Sequence, residues 1–307
     1  MKKVFIDGSA GTTGLKVAAR LSERKDIAMI TLDETVRKDV KARQDAMNQA
    51  DVVFLCLPDD AAIEAVPLVE NENTVIIDTS TAHRVAEGWT YGFAELSGLR
   101  EKIQTAKRIA NPGCHASGFL SLATPLTENK IIPKDMQLSC FSLTGYSGGG
   151  KKMIAEYEAE GRNVLLDAPR LYGLTQMHKH LPEMKKIAGL EKDVIFSPIV
   201  APYFAGMEVV IPISPAELST TAAQIKEVYQ DYYKTKIVHF NEKADEDGFL
   251  SAGAFAGKDD MEISLAGNEE RLLLISRFDN LGKGASGAAI QNMNIALGIE
   301  ESEGLVI

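Results

Sequence analysis

Long apolar runs and abundant cysteine are both missing from this 307-residue sequence. No stretch approaches the ~18 apolar residues that a membrane-spanning helix needs, so we expect no membrane anchor. Three cysteines in a chain of this length argue against a disulfide scaffold. Positive charge is also scarce: 33 Lys and Arg against 43 Asp and Glu give a net charge of −10. A broad nucleic-acid-binding surface is therefore not expected.

The composition is otherwise that of a globular protein. Hydrophobic residues make up 45% of the chain, which is enough for a full core, and the length fits one large domain or two ordinary ones. The opening residues, MKKVFIDG, lack the long apolar segment of a secretory signal, and we expect a cytoplasmic protein.

The first half of the chain alternates predicted strands and helices. Strands are predicted at 4–7, 28–32, 52–57 and 74–78, with helices at 15–24, 38–49 and 61–69 between them. This β-α rhythm predicts an α/β fold with a doubly wound parallel sheet. The later pattern differs, with strands at 137–144, 193–198, 208–213, 236–240 and 272–278 and helices at 151–160, 216–233 and 285–297.

That second pattern predicts an α+β domain with a mixed sheet. We therefore expect a dinucleotide-binding domain from residues 1–112 with 285–307, and a catalytic and oligomerisation domain from residues 113–284. The small residues of the last helix favour close packing against the first domain or another subunit, so a homodimer or homotetramer is expected.

A glycine-rich turn follows the first predicted strand and opens a helix. Its residues are candidates for cofactor binding: Gly8, Ser9, Ala10, Gly11, Thr12, Thr13 and Gly14. Glycines there allow the backbone to approach a pyrophosphate, which then lies at the helix N-terminus. The spacing differs from G-x-G-x-x-G, and a purely structural turn remains the alternative.

The segment after the second strand does not by itself separate NAD from NADP. Asp33 and Glu34 suit a ribose 2′-hydroxyl, whereas Arg37 and Lys38 suit a 2′-phosphate. Arg37 is the first candidate for contact with the cofactor.

Cys114 is the most informative residue of the chain. It follows the turn Asn111-Pro112-Gly113 and precedes an apolar run with helical character. A thiol at a helix N-terminus faces unpaired N–H groups and the positive end of the helix dipole, which favour the nucleophilic thiolate. Cys56 and Cys140 lie in apolar strands and are expected to be core residues.

Two cationic positions are candidate anion sites. Arg84 follows the fourth strand, at the sheet edge where ligands bind in this architecture. Lys151 opens a helix after a glycine-rich loop, where a cation opposes the helix dipole. A surface ion pair for Arg84 and a plain flexible connection before Lys151 are the alternatives.

His178 and His180 form the remaining cluster. Pro182 disfavours a helical conformation for Leu181, and residues two apart on an extended segment share a face. One of the two histidines is expected to act as acid and base for Cys114. No third ligand is spaced to make a metal site, so no metal is expected.

Four motifs in combination resemble N-acetyl-gamma-glutamyl-phosphate reductases of the shorter, type 2 subfamily. They are GSAGTTG near the N-terminus, NPGC in mid-chain, HKHLPE, and KGASGAAIQNMN from residue 283. The resemblance implies an NADPH-dependent reductive dephosphorylation of an acyl phosphate in arginine biosynthesis, releasing inorganic phosphate.

The resemblance also implies residue roles. Cys114 would be the nucleophile that carries a thioester, and His180 the acid/base, with His178 as the alternative and as a substrate contact. Arg84 would hold phosphate, with Lys151 as a further candidate. Asn111 is a candidate oxyanion donor or orienting residue. Asn280 is a further candidate for binding NADP(H).

The sequence is also compatible with three other functions. An aspartate-semialdehyde dehydrogenase uses the same chemistry, although the HKHLPE block argues against it. A Cys-His hydrolase or acyltransferase would need no nicotinamide. A redox-sensing protein would bind the nucleotide without turnover.

Overall fold

The computed structural model describes residues 1–9 and 11–307 and divides the chain into two compact units. Unit 1 comprises residues 1–112 and 285–305, and unit 2 comprises residues 113–284 and 306–307. Ala10, one of the predicted cofactor contacts, lies outside the described residues.

Unit 1 contains a parallel sheet. Its strands are β1 (Lys2–Asp7), β2 (Ile27–Ile30), β3 (Val52–Leu55), β4 (Val75–Asp78), β5 (Thr90–Tyr91) and β6 (Arg108–Ala110). They lie in the order β2-β1-β3-β4-β6-β5, and every pairing between them is parallel. Its α-helices are α1 (Thr12–Ser22), α2 (Val40–Gln49), α3 (Asp59–Ala65), α4 (Leu99–Thr105) and α9 (Gly287–Leu297).

Both faces of this sheet are buried under helices. On β1, Val4 joins a core with Val17 of α1 and Ile290 of α9, whereas its neighbour Phe5 joins a second core with Met47 of α2. Successive side chains of a strand point to opposite faces, so continuous apolar strands are expected where both faces are covered. The doubly wound α/β prediction is confirmed.

Unit 2 contains a mixed sheet. Its strands are β7 (Ser139–Gly145), β8 (Arg170–Leu171), β9 (Ile195–Ala201), β10 (Met207–Ile213), β11 (Val238–Phe240), β12 (Met261–Gly267) and β13 (Leu272–Phe278). Its α-helices are α5 (Cys114–Glu128), α6 (Gly150–Glu158), α7 (Leu181–Ile187) and α8 (Ala222–Tyr232). The order β11-β12-β13-β10-β7-β9-β8 combines parallel and antiparallel pairs, as predicted.

Helix α5 packs across one face of this sheet. Thirteen consecutive residues of α5, from His115 to Thr127, are buried, and Gly118 lets the helix lie close to Val209 of β10. The opposite face is partly open to solvent, where Phe141, Ile195 and Leu273 are 49%, 48% and 40% exposed. Packing against the sheet therefore holds α5, and with it Cys114, in a fixed position. The opposite face of the sheet exposes apolar side chains to solvent.

One helix predicted as continuous is broken. The sequence predicts a helix over 216–233, but Ser219 adopts a left-handed conformation at φ 52° and ends a short 3-10 turn. Helix α8 then begins after Thr221, whose hydroxyl accepts a hydrogen bond from the Gln224 N–H in a capping box. The prediction was wrong because the N-cap at Thr221 lies within the range 216–233, whose apolar residues recur at helical spacing.

Candidate active site

Cys114 is the first residue of α5. Its N-cap, Gly113, is extended and has no side chain to cap the helix, so the positive end of the α5 dipole faces the Cys114 thiol. Cys140 is buried on β7, as expected, whereas Cys114 and Cys56 are both half-buried. Burial raises the pKa of the Cys56 thiol to about 12 and raises that of Cys140 as well. Its place at the start of α5 therefore makes Cys114 the candidate nucleophile.

A wide helical turn, Gly282–Ser286, packs Gly284 against Cys114. A Cβ added at Gly284 would lie 2.9 Å from Cys114 Cβ and 3.1 Å from the Asp279 carbonyl oxygen. Helical turns of this wide type occur often at functional sites. Because position 284 has no side chain, this turn can lie close to Cys114.

Replacing Gly284 with alanine should lower kcat/KM by about tenfold to a hundredfold, because a displacement of Cys114 of about 1 Å disturbs the attack geometry. Steady-state assays check this together with thermal melting. Gly253→Ala is the matched control, since its added Cβ meets only the Ser251 hydroxyl at 3.6 Å. Equal activity in the two variants would contradict the role given to Gly284.

Three histidines form a cluster in unit 2. The rings of His178 and His180 lie 4.7 Å apart, and the ring of His115 lies 5.5 Å from each of them. Phe196 packs edge-on against His115 and His178. The two predicted histidines therefore lie together, and His115 is a third member that the sequence analysis does not single out.

The segment that carries His178 and His180 is not extended. The Leu181 N–H donates to the His178 carbonyl at 3.0 Å, which closes a turn, and α7 begins at Leu181 with Pro182 in its first turn. The prediction of an extended Leu181 was wrong, because the tendency imposed by Pro182 is overridden at a helix start. The two rings meet edge to face, at 86°, instead of sharing the face of a strand.

Glu183 is a site residue that the sequence reasoning missed. Its side chain is 1% exposed, Oε1 lies 4.0 Å from His180 Nε2, and Oε2 accepts a hydrogen bond of 3.2 Å from the Gly113 N–H. One carboxylate thus contacts both His180 and Gly113, the residue before Cys114. The signal was the spacing of three between His180 and Glu183 at a helix start, where residues i and i+3 are neighbours.

Arg84 and Asn111 lie in unit 1. Arg84 is buried, and its Nε donates to the Asn111 carbonyl at 3.0 Å while Nη2 donates to the Thr79 carbonyl at 3.3 Å. The Asn111 amide donates to the Ala285 carbonyl and accepts from Asn292. These contacts favour an orienting role for Asn111, which holds the chain just before Pro112.

Lys151 and Asn280 lie in unit 2. Lys151 is exposed in the first turn of α6. Asn280 is buried, accepts from the Gly206 N–H at 3.0 Å and donates to the Ser147 hydroxyl at 3.0 Å. Asn280 therefore supports the glycine-rich loop before Lys151 and is not part of the glycine turn of unit 1.

The glycine turn of unit 1 is tightly packed. Gly8 has φ +86°, a conformation that favours glycine, and a Cβ there would collide with the Cys56 carbonyl. A Cβ on Gly14 would lie 2.5 Å from the Gly8 carbonyl oxygen. Thr12, Thr13 and Gly14 then form the first turn of α1, which carries no acidic residue. This geometry fits an anionic group at the start of α1.

A cavity of about 420 Å³ opens beside this turn. Gly8, Ser9, Arg37 and Lys38 are among the residues that line it. Asp33 is not in its lining, and hydrogen bonds from the Thr35 N–H and hydroxyl hold the pKa of Asp33 below its usual value. Of the two acids predicted to suit a ribose hydroxyl, Asp33 is thus engaged in its own turn, whereas Glu34 lines the cavity together with the two predicted cations.

The described residues contain neither a cluster of metal ligands nor a helix that could span a membrane. In residues 1–9 and 11–307, no three His, Cys, Asp or Glu side chains are grouped to hold a metal ion. The helices of the same residues include none with the length and apolar character needed to cross a membrane.

Comparison with known proteins defines the class. Residues 9–106 match the NAD binding domain of semialdehyde dehydrogenases, and residues 114–280 match the dimerisation domain of the same class. Solved aspartate semialdehyde dehydrogenases share the fold at low identity. The type II enzyme of Vibrio cholerae has a TM-score of 0.70 at 16% identity, covering 97% of this chain and 98% of that one. The Candida albicans enzyme, solved with NADP, also has a TM-score of 0.70, at 15% identity over 97% and 99%.

The particular family follows from closer relatives. An N-acetyl-gamma-glutamyl-phosphate reductase of Mesorhizobium japonicum is 42% identical over 97% of this chain and 99% of its own length. One of Brucella ovis is 44% identical over 96% and 99%. The chain belongs to the N-acetyl-gamma-glutamyl-phosphate reductase family.

Proposed function

We propose that this protein reduces N-acetyl-L-glutamyl 5-phosphate to N-acetyl-L-glutamate 5-semialdehyde with NADPH and releases inorganic phosphate. In this proposal the enzyme acts in the cytoplasm as a step of arginine biosynthesis. The observation that carries the proposal is Cys114 at the start of α5, joined through Gly113 and Glu183 to His180. That arrangement suits acyl transfer from a phosphate to a thiol.

The residues of unit 2 account for the covalent steps. The Cys114 sulfur attacks the acyl carbon, the bond from that carbon to the phosphate oxygen breaks, and a thioester remains on Cys114. The Cys114 N–H at the helix start is a donor for the oxyanion of each tetrahedral intermediate. His180 takes the proton of the thiol and gives it to the oxyanion of the thiohemiacetal. The same proton returns through His180 to the Cys114 sulfur when the carbon–sulfur bond breaks and the aldehyde leaves, and the Glu183 carboxylate stabilises the imidazolium.

The proposed reaction also needs cations that bind the phosphate and a nicotinamide that carries the hydride. We assign Arg84 and Lys151 to the departing phosphate, His178 to the substrate, and Asn111 to orientation of the Asn111–Gly113 turn. A nicotinamide, when bound, would supply the hydride for reduction of the thioester. Unit 1 would hold it through the glycine turn at 8–14, with Asn280 retained as a candidate contact from unit 2.

NADP is favoured over NAD by the cavity at the end of β2. Arg37 and Lys38 line it, and Glu34 forms an ion pair with Arg37 at 3.2 Å that leaves the other guanidinium nitrogens to a phosphate. Replacing both cations with alanine should raise KM for NADPH about tenfold or more, with little change for NADH, because charge-assisted hydrogen bonds to the 2′-phosphate are lost. Steady-state kinetics with both nucleotides measure this.

Lys41→Ala is the control for that pair. Lys41 is exposed on the neighbouring helix α2 and pairs with Asp45 at 2.8 Å outside the cavity lining. Its removal changes the net charge without removing a cavity residue. Equal losses for NADPH and NADH in the double variant would show that Arg37 and Lys38 do not select the 2′-phosphate.

A reverse assay tests the function as a whole. N-acetylglutamate semialdehyde, inorganic phosphate and NADP should give phosphate-dependent NADPH formation, and aspartate semialdehyde should give far less. A preference for aspartate semialdehyde would assign the chain to that dehydrogenase activity. Acyl transfer or hydrolysis with no change in nicotinamide absorbance would favour a hydrolase or acyltransferase.

The open face of the unit 2 sheet supports a homodimer or homotetramer. Phe141, Ile195 and Leu273 lie half-exposed on neighbouring or nearby strands of this face, and an apolar sheet surface of this kind is typical of an interface. A single-chain mass in light scattering would contradict this part of the proposal.

A further inference from the structure

A buried ion pair joins the end of β1 to helix α2 in unit 1. Asp7 is the last residue of β1, and Arg43 of α2 reaches its carboxylate with two nitrogens. Arg43 Nη2 lies 2.7 Å from Asp7 Oδ2, and Nε lies 3.2 Å from the same oxygen and 3.3 Å from Oδ1. Within residues 1–9 and 11–307, neither side chain has another hydrogen-bond partner.

This pairing occupies one edge of the Arg43 guanidinium and leaves another edge unused. A guanidinium carries five N–H groups in a planar fork, and the edge formed by Nε and Nη2 faces Asp7. The second hydrogen of Nη2 and both hydrogens of Nη1 have no acceptor among the described residues. Two such N–H groups side by side match two oxygens of a phosphate, which arginine binds bidentately.

The ion pair belongs to the wall of the 420 Å³ cavity beside the glycine turn. Asp7 and Arg43 both line this cavity, as do Gly8 and the two predicted cations Arg37 and Lys38. The rest of the lining is mostly apolar. A few placed polar groups in an otherwise apolar wall are what fix the orientation of a bound small molecule.

Arg43 is held more firmly than Arg37. The Arg37 side chain is 44% exposed and pairs with Glu34 through one nitrogen at 3.2 Å, whereas the Arg43 side chain is 18% exposed and held through two. Exposed ion pairs contribute little and are screened by salt, and partly buried pairs are screened less. The guanidinium of Arg43 is therefore already in place before a ligand binds, which lowers the entropic cost of binding.

Attachment of α2 to the sheet does not depend on this ion pair. Phe5 of β1 and Ala46 and Met47 of α2 belong to one buried apolar core. A buried ion pair adds little net stability, because the cost of removing both charges from water offsets their attraction. A role toward a ligand therefore accounts better for the charged pair at this place.

We propose that Arg43, positioned by Asp7, binds the 2′-phosphate of NADP through its Nη1–Nη2 edge. Asp7 is a positioning residue, because its carboxylate holds the opposite edge and keeps the guanidinium from turning. Arg37 and Lys38 add exposed positive charge to the same phosphate site. The proposal rests on the proposed function in one respect, that the cavity takes the adenosine end of the cofactor.

Calorimetric titration with adenosine 2′,5′-bisphosphate and with 5′-AMP tests this without substrate or turnover, because only the first probe carries a 2′-phosphate. Arg43→Lys keeps the charge and loses the planar fork. It should weaken binding of the bisphosphate about tenfold and leave binding of 5′-AMP within about twofold. At about 0.5 M salt most of this loss should remain, whereas the smaller effect of Arg37→Ala should fade.

Asp7→Asn tests the positioning role through a double-mutant cycle. Asparagine keeps an oxygen near Nε but not the charge that holds the guanidinium edge. In the Asp7→Asn background, Arg43→Lys should therefore change the affinity for the bisphosphate by less than about threefold. Equal effects of Arg43→Lys in both backgrounds would refute the positioning role of Asp7.

Arg24→Lys is the matched control. Arg24 also belongs to unit 1, is buried, and pairs with Asp26 through the same two nitrogens, at 3.0 Å for Nε and 2.5 Å for Nη2, but it is not in the cavity lining. This variant should lose thermal stability and bind both probes as the parent does. A comparable loss of bisphosphate affinity in Arg24→Lys would overturn the proposal.

Two further results would count against Arg43, and one separates the proposal from the proposed function. Unchanged affinity for the bisphosphate in Arg43→Lys would overturn the proposal, as would an equal loss for 5′-AMP. Wild-type protein that bound the two probes equally well would refute this proposal and the assignment of NADP together. Wild-type protein that preferred the bisphosphate but did not oxidise the semialdehyde would refute only the proposed function, and the loss in Arg43→Lys would still support the phosphate site.

Discussion

Replacing Cys114 with serine should lower turnover at least about a thousandfold and leave NADPH affinity within about twofold. A serine hydroxyl at the same helix start is a far weaker nucleophile near neutral pH, so thioester formation stops. The glycine turn and the cavity with Arg37 and Lys38 belong to unit 1, whereas Cys114 belongs to unit 2. Single-turnover kinetics and a fluorescence titration with NADPH measure the two quantities separately.

The other two cysteines provide matched controls. Cys140→Ala and Cys56→Ala should keep turnover within a few-fold and lose modest stability, because Cys140 is buried in unit 2 and Cys56 packs against the apolar core of unit 1. Mass spectrometry after brief iodoacetamide treatment should find the label on Cys114, since burial raises the pKa of both other thiols. Parental turnover in Cys114→Ser would refute the mechanism, and lost NADPH binding would refute the division of roles between the units.

The parallel sheet of unit 1 was predictable because short apolar runs mark its first four strands. Val52–Leu55 and Val75–Asp78 are buried along their whole length, and such runs between polar helices are typical of a doubly wound sheet. The strands Thr90–Tyr91 and Arg108–Ala110 were missed because two or three residues carry no readable period. Met261–Gly267 was also missed, although its apolar residues alternate.

The candidate site was only partly predictable. Cys114 and His180 could be singled out, since each lies at a helix start with a local sequence signal. Ser142 and Tyr172 carry no such signal, because they meet His115 only through the register of the unit 2 sheet and the anchoring of the segment after β8. His115 carries no such signal either, and only the structure shows that its ring bridges the Ser142 and Tyr172 hydroxyls.

His180→Asn should slow the chemical step about a hundredfold to ten-thousandfold, and His178→Asn less than about tenfold. The difference follows from their partners. His180 has the Glu183 carboxylate 4.0 Å away, which stabilises the imidazolium that forms when His180 takes a proton. His178 Nδ1 accepts from the His180 backbone N–H at 3.2 Å, so a proton added at Nδ1 would break that bond.

Glu183→Gln separates the effect of the negative charge beside His180 from the effect of the hydrogen bond to the Gly113 N–H. Glutamine keeps an oxygen for the Gly113 N–H, 3.2 Å from Oε2 in the native protein, but removes the negative charge beside His180. Turnover should therefore fall between the values of the two histidine variants, with thermal stability close to that of the parent. Rapid-quench measurement of the acyl-enzyme step gives the ranking directly. If His178→Asn were the slower histidine variant, the acid/base role would pass to His178, and Glu183 would be left with a purely structural contact to the turn before Cys114.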